Sequence, residues 1–241
     1  MALTSQQEWT LLACAWIAHA DDVLEVGEWD LMVKLLEGGI PEEDEADAMA
    51  MVMDKSAVTE RMKTIEVDAS VHADSVLALA WRMALSDGSV AEAEATAHDD
   101  IAARLGVTKD AAAELRGAVL REATQEAEVL IGFAAGIVAS DGRIDASELV
   151  EFDDLISGLP VDQENRESLV STLHEPPARA AIVAQFASLT ELSRLRVMHQ
   201  LGPIVAAAHR GDAEVSIAVA LAVEAGMAEA DARAALSAGY M

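Results

Sequence analysis

Cysteine, aromatic residues, proline and basic residues are all scarce in this chain, and each scarcity removes a class of answer. The single cysteine, Cys14, excludes an intramolecular disulfide and any cysteine-rich zinc site, and it fits a reducing compartment. Aromatics make up only 3% of the 241 residues, so strand-forming positions are few. Lys and Arg number 16 against 43 Asp and Glu, a net charge of -27. Such a surface lacks the cationic patches that release counterions from nucleic acid or anionic lipid. A decoy of nucleic acid, a halophile-like surface and a cation-binding surface stay open. Apolar stretches are broken by charge well short of 18 residues, and Met1 to Glu8 lack a signal-peptide pattern. The expectation is a cytoplasmic protein that does not insert into a membrane.

What the chain has in excess is alanine. It carries 49 alanines within a 52% hydrophobic composition. Alanine has the highest intrinsic helix propensity, so the expected fold class is all-α.

Repetition gives the organisation. Three segments share one pattern: Ala20 to Glu28, Ser86 to Glu94 and Ser140 to Glu148. In each, an aspartate (Asp21, Asp87, Asp141) precedes Gly or Asp, then apolar residues, then a glutamate seven positions after that aspartate. A fourth segment, His209 to Ile217, keeps the glycine but has Arg210 and Ile217 in place of the acids. The first and third copies lie 120 residues apart and the second and fourth 123, which points to a duplicated unit of two helix-turn-helix repeats. Thr4 and Glu8 align with Thr124 and Glu128, Gly39-Ile40-Pro41 with Gly158-Leu159-Pro160, and Leu105-Gly106-Val107 with Ala225-Gly226-Met227. Two domains of about seven helices each are expected, over 1–120 and 121–241, the second ending in the degenerate repeat.

Hydrophobic spacing and terminal signals place the helices. In the first unit they run from Trp9 to Ala20, through Leu31, Leu35 and Leu36, and from Thr59 to Ile65, Ser70 to Leu85, Ala91 to Leu105 and Thr108 to Leu115. In the second they run from Glu126 to Ala139, Asp145 to Ile156, Pro160 to Leu173, Ala178 to Ala187, Thr190 to Ala208, Ala213 to Ala225 and Ala228 to Leu236. Gly39 and Gly106 are expected helix stops, and Pro41 starts a helix. Ser5 with Glu8, and Ser188 with Glu191, have capping-box spacing.

The acidic turns admit two readings. The plain one is a stop-and-start signal: Asp-Gly permits the positive φ that ends one helix, and the later acids sit at the positive end of the next dipole. Asp145 with Glu148 has N-cap spacing. The sharper reading is a site for calcium or magnesium, hard cations that prefer oxygen. Its candidate ligands are Asp21, Asp22, Glu25 and Glu28 in the first turn, Asp87, Glu94 and His98 in the second, and Asp141, Asp145 and Glu148 in the third. Glu94 and His98 lie four apart on one helical face, whereas Asp99-Asp100 and Asp153-Asp154 rotate away and read as a solvated face. No copy has the acid spacing of an EF-hand loop.

Helices joined by a turn of the form Ala-Asp-Gly-x-Val-x-x-x-Glu, twice per domain of about 120 residues, resemble the tellurite-resistance TerB domains and a related domain of DjlA co-chaperones. The resemblance covers nearly the whole chain twice; Asp22 in place of glycine and the lost acids of the fourth copy depart from it. It implies a cytoplasmic helical protein of tellurite resistance or wider stress responses. Its acidic surface would bind metal and join partner proteins. It supplies no catalytic residue.

The residues give enzymes little support. The chain has no Gly-x-Ser-x-Gly elbow, His-Glu-x-x-His helix, Walker loop or dinucleotide fingerprint, and its six histidines share no ligand spacing. Cys14, between alanines, reads as a buried small hydrophobe. Trp9, Trp16, Trp29 and Trp81 all fall in the first unit; Trp16 and Trp29 are assigned to packing and Trp9 is the candidate for an interface. The leading expectation is a non-catalytic adaptor that binds other proteins and no nucleic acid. The alternatives are a metal-dependent hydrolase using turn carboxylates and an acidic nucleic-acid mimic.

Overall fold

The computed structural model describes residues 3–21, 28, 31–33, 35–36, 40, 42–86, 88, 90–138, 146–174, 176–207 and 212–238. Among these the secondary structure is helical, without strands. The helices are α1 Ser5–Ala18, α2 Glu42–Met53, α3 Lys55–Thr64, α4 Ala73–Ala84, α5 Glu92–Arg104, α6 Lys109–Val138, α7 Ala146–Ser157, α8 Gln163–His174, α9 Arg179–Ser188, α10 Glu191–Ala207, α11 Asp212–Glu224 and α12 Glu229–Ala238. Residues 28, 31–33 and 35–36 are also helical, as the leucine spacing predicts.

The chain divides into two compact units, Met1–Arg121 with Pro160–Asp162, and Glu122–Leu159 with Gln163–Met241. Helix α6 contributes to both. The sequence suggests helices over Thr108 to Leu115 and Glu126 to Ala139, with the alternative that the helix ending the first unit runs straight into the next, and 30 residues do run unbroken from Lys109 to Val138. The intervening segment is rich in Ala, Glu, Arg and Gln, contains no proline, and holds only Gly117 as a weak breaker.

In the first unit α1 is central and packs against α2, α3, α4 and α5. Trp9, Leu11, Leu12, Cys14, Ile17 and Leu36 are buried with Leu77, Met83 and Ile101. Burial pushes the Cys14 thiol up to about 12, so it is a packed hydrophobe with no thiolate character. In the second unit α10 packs against α7, α11 and α12. Phe133 of α6 meets Phe186 of α9 with ring centroids 5.0 Å apart.

Helix ends follow local chemistry, with some shifts from expectation. The capping box of α1 is Thr4 with Gln7, one residue before the Ser5 and Glu8 pair. Its two arms run from the Gln7 amide to Thr4 Oγ1 at 3.2 Å and from the Thr4 amide to Gln7 Oε1 at 2.9 Å. The expected Ser188 cap falls two residues early: Thr190 Oγ1 accepts from the Ser193 amide at 3.1 Å, while Ser188 closes α9 by donating to Gln185 O. Helix α3 starts earlier than expected because Asp54 accepts from the Ser56 and Ala57 amides.

Gly106 and Gly226 both have positive φ, 76° and 92°, and both end helices by the same bonds. Val107 N donates to Ala102 O at 2.8 Å, and Met227 N to Ala222 O at 3.0 Å. Gly88 has φ 85°, the conformation that an Asp-Gly turn requires. Gly39, Pro41, Gly142 and Gly211 lie outside the described residues.

Candidate functional site

The candidate metal ligands separate into two groups. Asp22, Glu25, Asp87, Asp141 and Asp145, and the side chain of Glu148, lie outside the described residues. Of the others, Asp21 is exposed and Glu28 is buried. Glu94, also buried, accepts from the Ala91 amide at 2.6 Å and so caps α5. Among the described residues no group of three His, Cys, Asp or Glu side chains is placed to hold a metal ion.

His98 is fully buried and committed to the core. Its Nε2 lies 3.1 Å from Leu77 O and its Nδ1 3.1 Å from Arg116 Nη1. A carbonyl cannot donate and a guanidinium cannot accept, so Nε2 carries the proton and Nδ1 accepts. Desolvation holds its pKa below the ordinary value, Arg116 adding to that against the Leu77 bond and Asp99. Trp81 meets the imidazole edge-on at 5.2 Å, and the Arg116 guanidinium lies over Trp81 at 5.3 Å. Arg116 also donates to Asp99 at 2.5 Å, and Lys109 lies 3.1 Å from Asp99. Asp99 is thus half-buried and ion-paired rather than merely solvated. Burial opposes its ionisation, but the hydrogen bonds and charges of Arg116 and Lys109 win and hold its pKa low. Together these contacts lock the inner face of α5 against α4 and α6.

The outer face of α5 borders a groove that the sequence did not single out. A cavity of about 520 Å³ is lined by Trp16 and Ala20, by Lys55, Val58 and Thr59 of α3, and by Glu92, Ala93, Thr96, Ala97 and Asp100 of α5, with His19 also on its wall. A second cavity of about 340 Å³ shares Trp16 and Asp100 and continues past Met62 and Lys63 to Arg104. The His19 imidazole lies 2.8 Å from Val52 O, and Lys55 Nζ donates to His19 O at 2.6 Å. Trp9, the expected interface residue, is instead fully buried, with its indole N–H donating to Glu66 O at 2.9 Å. Trp16, assigned to packing, is half-buried and does pack against the core, while its remaining surface forms the groove floor. Trp29 lies outside the described residues. The signal for the groove was the placement of Lys55, Glu92 and Asp100 beside Trp16, which only tertiary structure reveals.

In the second unit the region 120 residues further on is built differently. Gly132 and Gly136 stand in α6 where Leu12 and Trp16 stand in α1. A β-carbon on Gly136 would lie 3.4 Å from Ile182 Cδ1, and one on Gly132 3.6 Å from Ile182 Cγ1. Helix α9 therefore sits close against α6, and it also packs on α11. Arg179 at the start of α9 donates from both Nε and Nη2 to Glu224 at the end of α11. Helices α3 and α5 of the first unit make no comparable contact and instead flank the groove.

Helices α5 and α11 are described from Glu92 and Asp212, and the third residue of each, Glu94 and Glu214, is buried.

No family model, curated protein or solved structure matches this chain. No described helix is long and apolar enough to cross a membrane.

Proposed function

We propose that this chain is a non-catalytic binding protein, an adaptor that presents the groove of its first unit to a segment of another protein. The observation that carries this reading is the pair of cavities between α3 and α5 that share Trp16 and Asp100 in their linings. A concave apolar floor with polar walls is the form of a recognition site, and aromatic side chains are the usual anchors of such sites. Two related units of helix-turn-helix repeats, the tandem TerB-like arrangement, supply the framework. The paired glycine stops at Gly106 and Gly226 and the paired glutamates Glu94 and Glu214 support that arrangement. The TerB resemblance puts the adaptor in a stress-response or tellurite-resistance-like system. Calcium or magnesium at the acidic turns is a modulating element of the proposal.

Selection of displayed peptides on the immobilised protein tests the binding role. Binders that lose at least tenfold in affinity for a folded Trp16→Ala variant support it, and binders indifferent to Trp16→Ala overturn it. Thermal melts with chelator and then calcium or magnesium test the cation. A rise in midpoint that Asp87→Ala and Asp141→Ala abolish supports a bound ion, and an unchanged midpoint removes it.

A further inference from the structure

The two walls of the groove carry opposite charge. On the α3 wall stand Lys55, whose ammonium also donates to His19 O, and Lys63, which is ion-paired at the surface with Glu60 of the same helix at 2.7 Å; on the α5 wall stand Glu92 and Asp100. Each pair is eight residues apart, about 12 Å along a helix. The lysines are informative because the chain has only four, at 34, 55, 63 and 109, within a net charge of -27. Half of a scarce residue type lies along one wall of one groove.

We propose that the occupant is a single amphipathic α-helix of a partner protein, about three turns long, whose apolar stripe lies on Trp16 between one acidic and one basic flank. This rests on the reading of the groove as the binding surface and names what it binds. Length supports a helix: the lining residues of α5 run from Glu92 to Arg104, about 18 Å at the rise of an α-helix. The gap supports it too. In the second unit α9 packs on α11, whereas in the first the floor residue is a tryptophan and α3 and α5 leave space between them. A third helix completes that layer in the usual ridge-and-groove manner.

Charge then sets direction. The acidic flank faces Lys55 and Lys63, and the basic flank faces Glu92 and Asp100. Arg104 ends the α5 wall with the opposite sign, so the basic flank stops short of that end, and His19 adds a polar contact. Turning a helix end for end exchanges its flanks. The walls therefore choose the chain direction of the occupant rather than its mere presence.

The test uses stapled helical peptides of about 14 residues that share one Leu and Ala stripe and differ only in their flanks. One is split, with two Glu and two Lys on opposite flanks. A second exchanges those flanks, and a third has Ser and Gln there, so all three have the same net charge. Binding to the full-length protein is measured by anisotropy at low salt. Both charged peptides are expected to bind about tenfold tighter than the Ser and Gln peptide, as four weak surface charge pairs would give. The advantage should vanish in the Lys55→Glu, Lys63→Glu double variant. A nitroxide on the peptide N-terminus should broaden amides near opposite ends of α5 in the two charged peptides. Equal affinity for all three peptides, each lost in Trp16→Ala, overturns the charge assignment and leaves the binding groove standing. Binding of none of them overturns both the helix proposal and the groove reading. If the groove is filled by a second copy of the chain, wild type sediments as a dimer and Trp16→Ala as a monomer, which overturns the partner-helix proposal.

Discussion

His98 accepts a hydrogen bond from Arg116, an arrangement that only the neutral imidazole can sustain. Protonation would place a second positive charge against the guanidinium in a fully buried site. The folded state therefore holds the pKa of His98 below 6.5, and unfolding releases it. Between 6.5 and the lower folded value, the unfolded chain binds a proton that the native chain refuses. Stability is complete above about 6.5 and falls as pH drops through that window, by at most about 1.4 kcal/mol per pH unit. Urea melts at a series of pH values should show this slope in wild type. A His98→Gln variant, less stable throughout, should lack it; an identical slope in both would refute the assignment.

Gly106 and Gly226 make a matched pair of predictions. Each occupies the left-handed region, and a β-carbon at either would meet nothing within 4 Å. Substitution therefore costs backbone strain alone, without a steric clash. Gly106→Ala and Gly226→Ala should each destabilise by about 1 kcal/mol, and the two should add because the sites share no partner. Chemical denaturation of the single and double variants checks both size and additivity.

Glycine stops, alanine content and leucine spacing made the helices legible from residues alone, because these signals act over a few positions. Gly106, Gly226 and Gly88 take the positive φ that their sequence context requires. Cap identity was legible only to within one or two residues: Ser5 and Thr4 are equally good acceptors, and the chain entry decides between them. Continuity of α6 depended on whether anything stops a helix near 120, and helix-forming residues there do not. The groove was not legible. Trp9 and Trp16 lie seven apart on the same helix, and which is core depends on where α3 and α5 dock.

Arg196 of α10 is braced by two carboxylates of α6. It donates to Glu122 at 2.9 Å and to Glu126 through both Nε and Nη2, while Ser193 Oγ donates to Glu122 at 3.1 Å. Burial works against the guanidinium charge, yet the Glu126 and Glu122 contacts outweigh it and raise its pKa. Because Glu126 is buried and Arg196 is about one-third exposed, the loss is smaller than for a fully desolvated pair. Glu126→Ala should destabilise by about 2 kcal/mol and Glu122→Ala by less than about 1 kcal/mol. Thermal or urea unfolding of the two variants tests the ranking, and equal losses would contradict it.

Trp9 and Trp16 should separate stability from binding. Trp9 is wholly enclosed and its indole hydrogen bond is satisfied, so Trp9→Ala should cost about 3–5 kcal/mol. Trp16 is half-buried at a groove floor, so Trp16→Ala removes less packing and should cost about half that while abolishing capture of a groove-binding peptide. The reciprocal change probes the second unit. Gly136→Ala should be neutral or stabilise by up to about 1 kcal/mol, since alanine favours helix and its β-carbon would touch Ile182 at ordinary contact distance. Gly136→Trp, by contrast, must push α9 off α6 and away from the Phe133–Phe186 contact, and should destabilise the protein by about 3 kcal/mol or more. Unfolding curves for the four variants, read beside peptide anisotropy, check the set. If Trp16→Ala proved as destabilising as Trp9→Ala, Trp16 would belong to the core and the groove would lose its anchor.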